Sequence, residues 1–533
     1  MVEQKILHYP RLDTVLMVEK TIRKFDGRFK KKKLWQHLPK KMMYQTFSFI
    51  LNYLISLDRV LVDEGKISLS EDKIYKSEKR IKDMRTHNLG EVNEKLAGKK
   101  VELCGWVDSA RILKSVIFIV IRDRYGKVQA VINSKNSFFK KAKNLTQESC
   151  IKVKGVVRKR PKGQENKKMG DAGKVEIEIQ ELEIFNLCPK LPLDLKEVNE
   201  DEVRLKYRFL DLRTEKMQKN ILIRSEIIRA ALEFFAKEDF VYLETPILGK
   251  STPEGARDYV VPSRRHKGQF YALPQSPQLF KQLSMVSGFD KYIQLARCFR
   301  DEDLRADRQP EFTQIDVEMS FVEQETVIEV IERMMKYVFK KILNVDLKTP
   351  FPRLSYVEAM KKYKRDNPDV RKKGEKFGLC WVVDFPAFEY SKEEKRYKSV
   401  HHPFTKLKGK INKDAKSLAY DLVLNGSEIG GGSIRIHSPK VQQEVFDFLK
   451  IPRKEARQKF GFLLDALSYG APPHGGIAIG FDRLVQIMAG EESIREVIAF
   501  PKNKFGRDIM LDSPGEITKE QLDEIGLKEA YKD

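Results

Sequence analysis

A chain of 533 residues with 41% hydrophobic content has material for two or three domains and sizeable cores, which excludes wholesale disorder. Its formal net charge of +24 points to a polyanionic partner, nucleic acid before an acidic membrane surface. The five cysteines (Cys104, Cys150, Cys188, Cys298, Cys380) stand singly without a Cys-x-x-Cys pair, so no structural zinc site is expected and the thiols read as reduced.

In chain order, residues 1–75 open with a helical pattern at Val15, Leu16, Val18 and Ile22, followed by the basic run Arg28-Phe-Lys-Lys-Lys-Lys33. Leu34 to Leu54 then place apolar residues near helical spacing, and Arg59 to Leu69 read as two short strands around a turn. Helices followed by a hairpin predict a winged-helix-like module, for contacts with nucleic acid or with protein. The start of the chain lacks a signal-peptide pattern, and Phe47–Ile55 is too short for a membrane span. A soluble, cytoplasmic protein is therefore expected. Residues 76–85 are charged and read as a linker.

Over 86–190 the pattern turns to strands: Val101–Val107, Val116–Ile121, Val128–Ile132, Ile151–Val157 and Val175–Ile179. Five short strands in this length predict an oligonucleotide-binding (OB-fold) barrel. A hinge is expected over 191–213, and an α+β domain over 214–533, where amphipathic helices alternate with polar-faced strands.

Four stretches of that domain carry chemistry. Tyr292–Arg300 and Glu311–Phe321 are strands joined by a highly charged loop. Alternation in the second puts Thr313, Ile315, Val317, Met319 and Phe321 inward, with Gln314, Asp316, Glu318 and Ser320 opposite. The loop's arginines offer planar donors to a phosphate. In Asp421–Arg435, Asn425-Gly426 predicts a two-residue hairpin that brings Asp421 and Glu428 onto one face for a divalent cation. Three glycines there allow close approach of a ligand, and Arg435 is a candidate anion partner. Gly475–Val485 is a strand running into a helix, with Arg483 placed for polyphosphate. In Gln275–Leu283, Ser276 reads as the cap and Pro277 as the first helical residue, so that Gln278 and Lys281 share a face. No phosphate-loop or dinucleotide-binding glycine motif occurs, so a nucleotide site belongs to another architecture.

Together these stretches, with Arg208-Phe-Leu-Asp-Leu-Arg213, Glu244-Thr-Pro246, Thr252–Tyr259, His401-His-Pro-Phe404 and Gly480-Phe-Asp-Arg483, resemble the class II aminoacyl-tRNA synthetases, and among them the bacterial-type aspartyl-tRNA synthetases, from about Met84 to Pro501. The resemblance implies a six-stranded antiparallel sheet flanked by helices, a homodimer formed near Pro246, and joining of L-aspartate to tRNA-Asp through an adenylate made from ATP. It implies that Arg300 grips the α-phosphate and the reacting carboxylate. Glu302, Gln309, Glu428, Gly480, Phe481, Asp482 and Arg483 would hold ATP, and Asp421 and Glu428 would bind Mg²⁺. Lys281 and Arg435 would meet the aspartate side chain, Glu254, Gln278 and Asp316 its ammonium group, and His401 would lie against it. In the barrel Phe118, Gln129 and Glu176 would read the anticodon.

Three departures stand out. Asp108–Ser115 replaces the family's basic, glycine-bearing loop, and its Leu113 hints at rejection of tRNA-Asn. The large domain usually inserted between the second and third motifs is missing between Pro368 and Trp381. Residues 1–75 have no counterpart. Other readings are an asparaginyl- or lysyl-tRNA synthetase, and a non-catalytic nucleic-acid-binding regulator.

Overall fold

The computed structural model describes residues 12–25, 27–56, 60–63, 65–69, 84–197, 199–251 and 255–528. Contacts divide it into two units, 1–190 and 191–533. Among the described residues no helix is long and apolar enough to cross a membrane.

The first unit begins with helices α1 (Leu12–Phe25), α2 (Lys31–Gln36) and α3 (Tyr44–Ser56), then the hairpin β1 (Val60–Asp63) and β2 (Lys66–Leu69). Val18, Ile22, Leu34, Phe47, Ile50, Leu54 and Ile67 close a small core. The apolar periodicity from Leu34 to Leu54 is broken into two helices. Pro39 lacks the amide a helix needs, and Trp35 closes the intervening loop by donating Nε1–H to the Met42 carbonyl at 2.9 Å. Residues 70–83, which include most of the expected linker 76–85, lie outside the described residues.

Strands β3 (Lys100–Ile112), β4 (Val116–Arg122), β5 (Lys127–Asn133), β6 (Cys150–Lys159) and β7 (Val175–Asn186) form a closed barrel in the order β3-β4-β5-β7-β6. Alternation decides which side chains fill it: Ile117, Ile119 and Ile121 are buried inside, while Phe118 and Val120 lie outside. The Asp108–Ser115 loop is largely strand, because β3 continues to Ile112 past a bulge near Asp108.

The second unit adds β8 (Val241–Tyr242), the pair β9 (Val260–Pro262) and β10 (Phe270–Ala272), then β11 (Lys291–Phe299) and β12 (Glu311–Ser320). It continues with β13 (Arg353–Ser355), β14 (Leu379–Val383), the hairpins β15 (Phe388–Ser391)/β16 (Arg396–Ser399) and β17 (Leu407–Lys408)/β18 (Lys416–Ser417), then β19 (Ala419–Leu424), β20 (Ser427–Ile434) and β21 (His474–Gly480). The main sheet runs β13-β14-β19-β20-β21-β12-β11-β8. It has eight strands rather than six. The six from β14 to β11 are antiparallel, and the short edge strands β13 and β8 pair parallel to their neighbours.

One face of this sheet packs on the helices Glu215–Lys237, Gln324–Leu343 and Phe481–Ala489, with Ile315, Val317 and Met319 in the shared core. Phe321 departs from the expected inward position. It lies past the end of β12 with a φ of 56° and is 74% exposed, because the chain turns there and the strand alternation no longer applies.

The stretch expected as a hinge contains two short helices, Asp201–Lys206 and Arg208–Asp211, fastened to the second unit. Buried Arg208 donates to the carbonyls of Arg495, Ile498 and Ala499 and pairs with Asp211. Arg204 bridges Asp211 and Glu496, and Lys216 adds to Glu496. Burial alone would raise the Glu496 carboxyl, but Arg204 and Lys216 outweigh it and hold it at about 2 instead of 4.5. A carboxyl lowered in the folded state stabilises fully above its unfolded value and loses that contribution as pH falls through the folded one. Stability should therefore drop between pH 4.5 and about 2, by roughly 2–3 kcal/mol from this group. Acid titrations of Tm should show a shallower fall over that range in Glu496→Gln; an unchanged slope would refute the assignment.

Candidate active site

A cavity of about 720 Å³ opens on the polar face of the main sheet, a volume that suits a nucleotide-sized ligand. Its wall includes Gln278, Lys281, Arg300, Glu302, Gln309, His401, Asp421, Glu428, Arg435, Gly480, Asp482 and Arg483. Residues far apart in sequence thus converge because β12, β20 and β21 are neighbours and the helix Gln278–Val286 packs beside β12.

The floor is a buried network of charges. Lys281 Nζ lies 2.6 Å from Asp316 Oδ1 and 3.4 Å from Glu318 Oε2. Arg435 donates Nε–H and Nη2–H to the two oxygens of Glu318, at 3.0 and 3.1 Å. Lys281 and Arg435 reach the cavity wall, whereas Asp316 and Glu318 do not. Asp316, expected to meet a ligand's ammonium directly, instead anchors Lys281 from behind; β12 turns it under that side chain with no exposed surface. Burial raises the Asp316 carboxyl. Burial would also raise Glu318, but Arg435 and Lys281 overcome it and keep that carboxyl below its usual value.

His402, adjacent to the singled-out histidine, joins this network. Its Nε2 sits 2.7 Å from Arg435 Nη1, and Nδ1 lies 3.3 Å from Thr405 Oγ1. Burial and then the Arg435 charge push its pKa well below 6.5, so the ring is neutral and Nε2 accepts from the guanidinium. His401 itself lines the cavity, with Nε2 3.8 Å from Asp421 Oδ1 and Nδ1 without a hydrogen-bond partner among the described residues.

At the other end, Asn425 and Gly426 adopt φ values of 54° and 77°, the left-handed pair of a type I′ turn. A register shift at Leu422/Val423 then sets Asp421 opposite Gly431 and Val423 opposite Glu428. A Cβ on Gly431 would lie 3.0 Å from Asp421 Oδ1 and 3.7 Å from Glu428 Oε1, so both carboxylates gather over this glycine. Their repulsion, helped by burial, raises Glu428 to about 7. Gly430 and Gly432 answer to sheet packing instead: a Cβ on Gly432 would meet the Gly476 carbonyl at 2.3 Å.

Arg300 leaves β11 with its guanidinium 5.1 Å from the Phe312 ring centroid and Nε 3.4 Å from the Gln275 carbonyl. Glu302 is held by Arg308 at 3.1 Å, and Gln309 exchanges hydrogen bonds with the Lys502 backbone. Arg483 is positioned by the Glu428 carbonyl at 2.7 Å and by Asp307 at 3.0 Å. Two members of the Gly480–Arg483 string are structural. Phe481 is fully buried in the core, 4.6 Å from the Arg224 guanidinium, and is not on the cavity wall. The Asp482 carboxylate is taken up by Arg224 at 2.5 Å and the Thr313 amide at 2.9 Å. Gln278 begins the helix one residue later than expected, with Ser276 Oγ accepting from its amide. Glu254 lies outside the described residues.

Sequence reasoning passed over Glu318, His402 and Asp307 as site residues. The signal for Glu318 was present, since it shares the polar face of β12 with Asp316; the other two become visible only when their arginine partners are placed in space.

On the barrel, Phe118, Gln129 and Glu176 share the outer face. Gln129 donates Nε2–H to Glu176 at 2.9 Å across the parallel β5–β7 pair, and Phe118 stands on the neighbouring β4. Strand alternation keeps Phe118 out of the barrel core.

The profile of tRNA synthetases class II (D, K and N) matches residues 200–504, and that of the OB-fold nucleic acid binding domain matches 101–185. The chain belongs to the class II tRNA synthetases. It is 41% identical to the aspartate–tRNA(Asp/Asn) ligase of Thermotoga maritima, over 84% of this chain and 99% of that protein. It is also 41% identical to the aspartate–tRNA ligase of Thermosipho africanus, over 83% of this chain and 98% of that protein. The Thermotoga alignment extends over 575 residues, more than this synthetase contains, as expected if the relative carries an inserted segment absent here. Among solved structures, the asparaginyl-tRNA synthetase of Pyrococcus horikoshii complexed with asparaginyl-adenylate matches with a TM-score of 0.66 and 26% identity, over 78% of this chain and 97% of that one.

Proposed function

We propose that this synthetase activates L-aspartate with ATP and transfers it to the 3′ end of tRNA-Asp. The observation that carries the reading is a single cavity that presents cations to two different anions. Lys281 and Arg435, anchored from behind by Asp316 and Glu318, form one end. Arg300 and Arg483 lie in the same wall. The relatives that are 41% identical over most of the chain are aspartate–tRNA ligases.

In this reading Lys281 and Arg435 receive the side-chain carboxylate, while Gln278 faces the ammonium group and His401 closes over the amino acid. Glu302 and Gln309 hold the base end of ATP, Gly480 gives backbone room beside it, and Arg483 holds the far phosphate. The α-carboxylate oxygen attacks the α-phosphorus, a new O–P bond forms, and pyrophosphate departs with the electron pair of the broken P–O bond. Arg300 stabilises charge at the α-phosphate during that step. A tRNA 3′-terminal hydroxyl then attacks the adenylate carbonyl; an ester C–O bond forms, and AMP departs with the electron pair of the broken acyl C–O bond while the hydroxyl proton passes to a phosphate oxygen. Positioning and electrostatics supply the rate, and no protein nucleophile is used.

Asp421 and Glu428 fit Mg²⁺. They are hard oxygen donors gathered over Gly431, and their mutual repulsion is what a cation would relieve. The ion would neutralise phosphate charge when bound. Dimerisation around Pro246 is supported by the exposed Tyr242, Ile247 and Leu248 beside it. A cytoplasmic setting fits the five cysteines, none of them in a disulfide among the described residues.

Aspartate-dependent ATP–pyrophosphate exchange tests this reading, with asparagine and lysine as controls. Exchange with aspartate alone is expected; exchange with asparagine or lysine instead would reassign the substrate, and none at all would favour a nucleic-acid-binding regulator. For the anticodon face, Phe118→Ala should raise the KM for tRNA about tenfold or more, since stacking one base on an aromatic contributes roughly 1–3 kcal/mol. Amino-acid activation, which involves no RNA, should not change. An unaltered KM would remove Phe118 from the RNA contact.

A further inference from the structure

The basic residues of the N-terminal helices serve neither the cavity nor the barrel, and both family profiles start after them, at 101 and 200. Between Lys20 and Lys41 lie ten Lys or Arg residues against one acid, Asp26. Arg28, Lys30, Lys32, Lys33, Lys40 and Lys41 are exposed. The first turn of α2 holds no acidic residue to offset its three lysines. Four consecutive like charges repel one another, so this clustering is not a device for folding.

The hairpin turn joins the same surface. Lys30 forms an isolated bridge with Lys66, and its side chain passes 3.7 Å from where a Cβ on Gly65 would sit. Aromatic rings are interleaved with the charges. Lys33 Nζ lies 5.2 Å from the Phe29 centroid, and Lys31 Nζ lies 5.9 Å from that of Tyr44, a ring 40% exposed.

We propose that residues 28–44, with Lys66 of the adjoining strand β2, form a second RNA-contact surface that grips the sugar–phosphate backbone of the tRNA substrate. The choice of tRNA rests on the function proposed above. Charge complementarity selects a polyanion, and helix α2, which carries the lysine run, offers nothing to a lipid interior, although Met43 beside the cluster is 72% exposed. Leu34 and Leu38 are spent in the module's own core, and Trp35 is tied to Met42, so α2 keeps no apolar face to insert. The grip is independent of base sequence. Helix α3, which would be the base-reading helix of a winged-helix protein, carries no charged residue.

The test uses the full chain with Lys30, Lys31, Lys32 and Lys33 all changed to alanine, and a second variant with the same four changed to arginine. Binding of the aspartate tRNA and of an unrelated tRNA is measured across KCl concentrations. Every phosphate that the protein ceases to neutralise should lower the steepness of log K against log[KCl] by about 0.7–0.9. The alanine variant should therefore lose roughly 3 in slope and at least about tenfold in affinity near 100 mM KCl, equally for both RNAs. The arginine variant should retain the parent behaviour. Unchanged slope and affinity in the alanine variant would overturn the proposal. So would lysine-dependent binding to phosphatidylserine vesicles with tRNA affinity intact. Aspartate-dependent pyrophosphate exchange, run alongside, separates the two readings: its absence in the parent protein counts against the enzymatic function, while the salt slope still decides the surface.

Discussion

Replacing Arg300 with alanine is expected to slow aspartate-dependent ATP–pyrophosphate exchange by about a thousandfold while leaving Tm nearly unchanged. The expectation follows from how Arg300 differs from the other cations of the cavity. Lys281 and Arg435 are bonded to buried carboxylates, and Arg483 is paired with Asp307. Among the described residues Arg300 has no carboxylate partner; its contacts are the Phe312 ring and the Gln275 carbonyl. A half-buried guanidinium held only from its stem side presents its charge to an incoming phosphate. Its removal costs folding little and costs the transition state a charge-assisted donor. Arg300→Lys should recover only part of the loss, because a point charge cannot replace the planar fork that spans two oxygens. Full exchange activity in Arg300→Ala would end the proposed mechanism.

Where sequence patterns were local, they predicted the structure closely. Alternation along β12, the Asn425-Gly426 turn and the five barrel strands each depend on residues within a few positions, and each is present. Phe321 escaped because alternation holds only while the strand does, and the strand ends at Ser320. The break between α2 and α3 came from one proline inside an otherwise helical pattern. The deeper misses concern partners. Asp316 has the charge of a ligand-binding group, but which side of Lys281 it occupies depends on how the helix Gln278–Val286 crosses β12. His402 gains a role only because β20 brings Arg435 to it, over a separation of 33 residues. The placement of Phe481 in the core rather than against a nucleotide likewise depends on a helix from elsewhere in the chain, which supplies Arg224.

That dependence on partners gives the second large effect. Glu318 does not itself line the cavity, yet Glu318→Gln should abolish aspartate activation and destabilise the protein by about 3–5 kcal/mol. Glu318 has no exposed surface and accepts two hydrogen bonds from Arg435, with Lys281 3.4 Å away. Neutralising it leaves two buried cations facing Asp316 alone. An uncompensated charge in such a place is far more costly than a well-packed apolar substitute. The fork that fixes Arg435 would also be lost, and the guanidinium would turn away from the cavity. Thermal unfolding and pyrophosphate exchange together separate these roles when a double variant is added. Glu318→Leu with Arg435→Met removes one buried pair and leaves Lys281 with Asp316, so most of the stability should return. Exchange should not return, since the cation that meets the substrate is gone. Normal exchange in Glu318→Gln would show that Arg435 needs no such anchor. Restored exchange in the double variant would show that Arg435 is no part of the aspartate site.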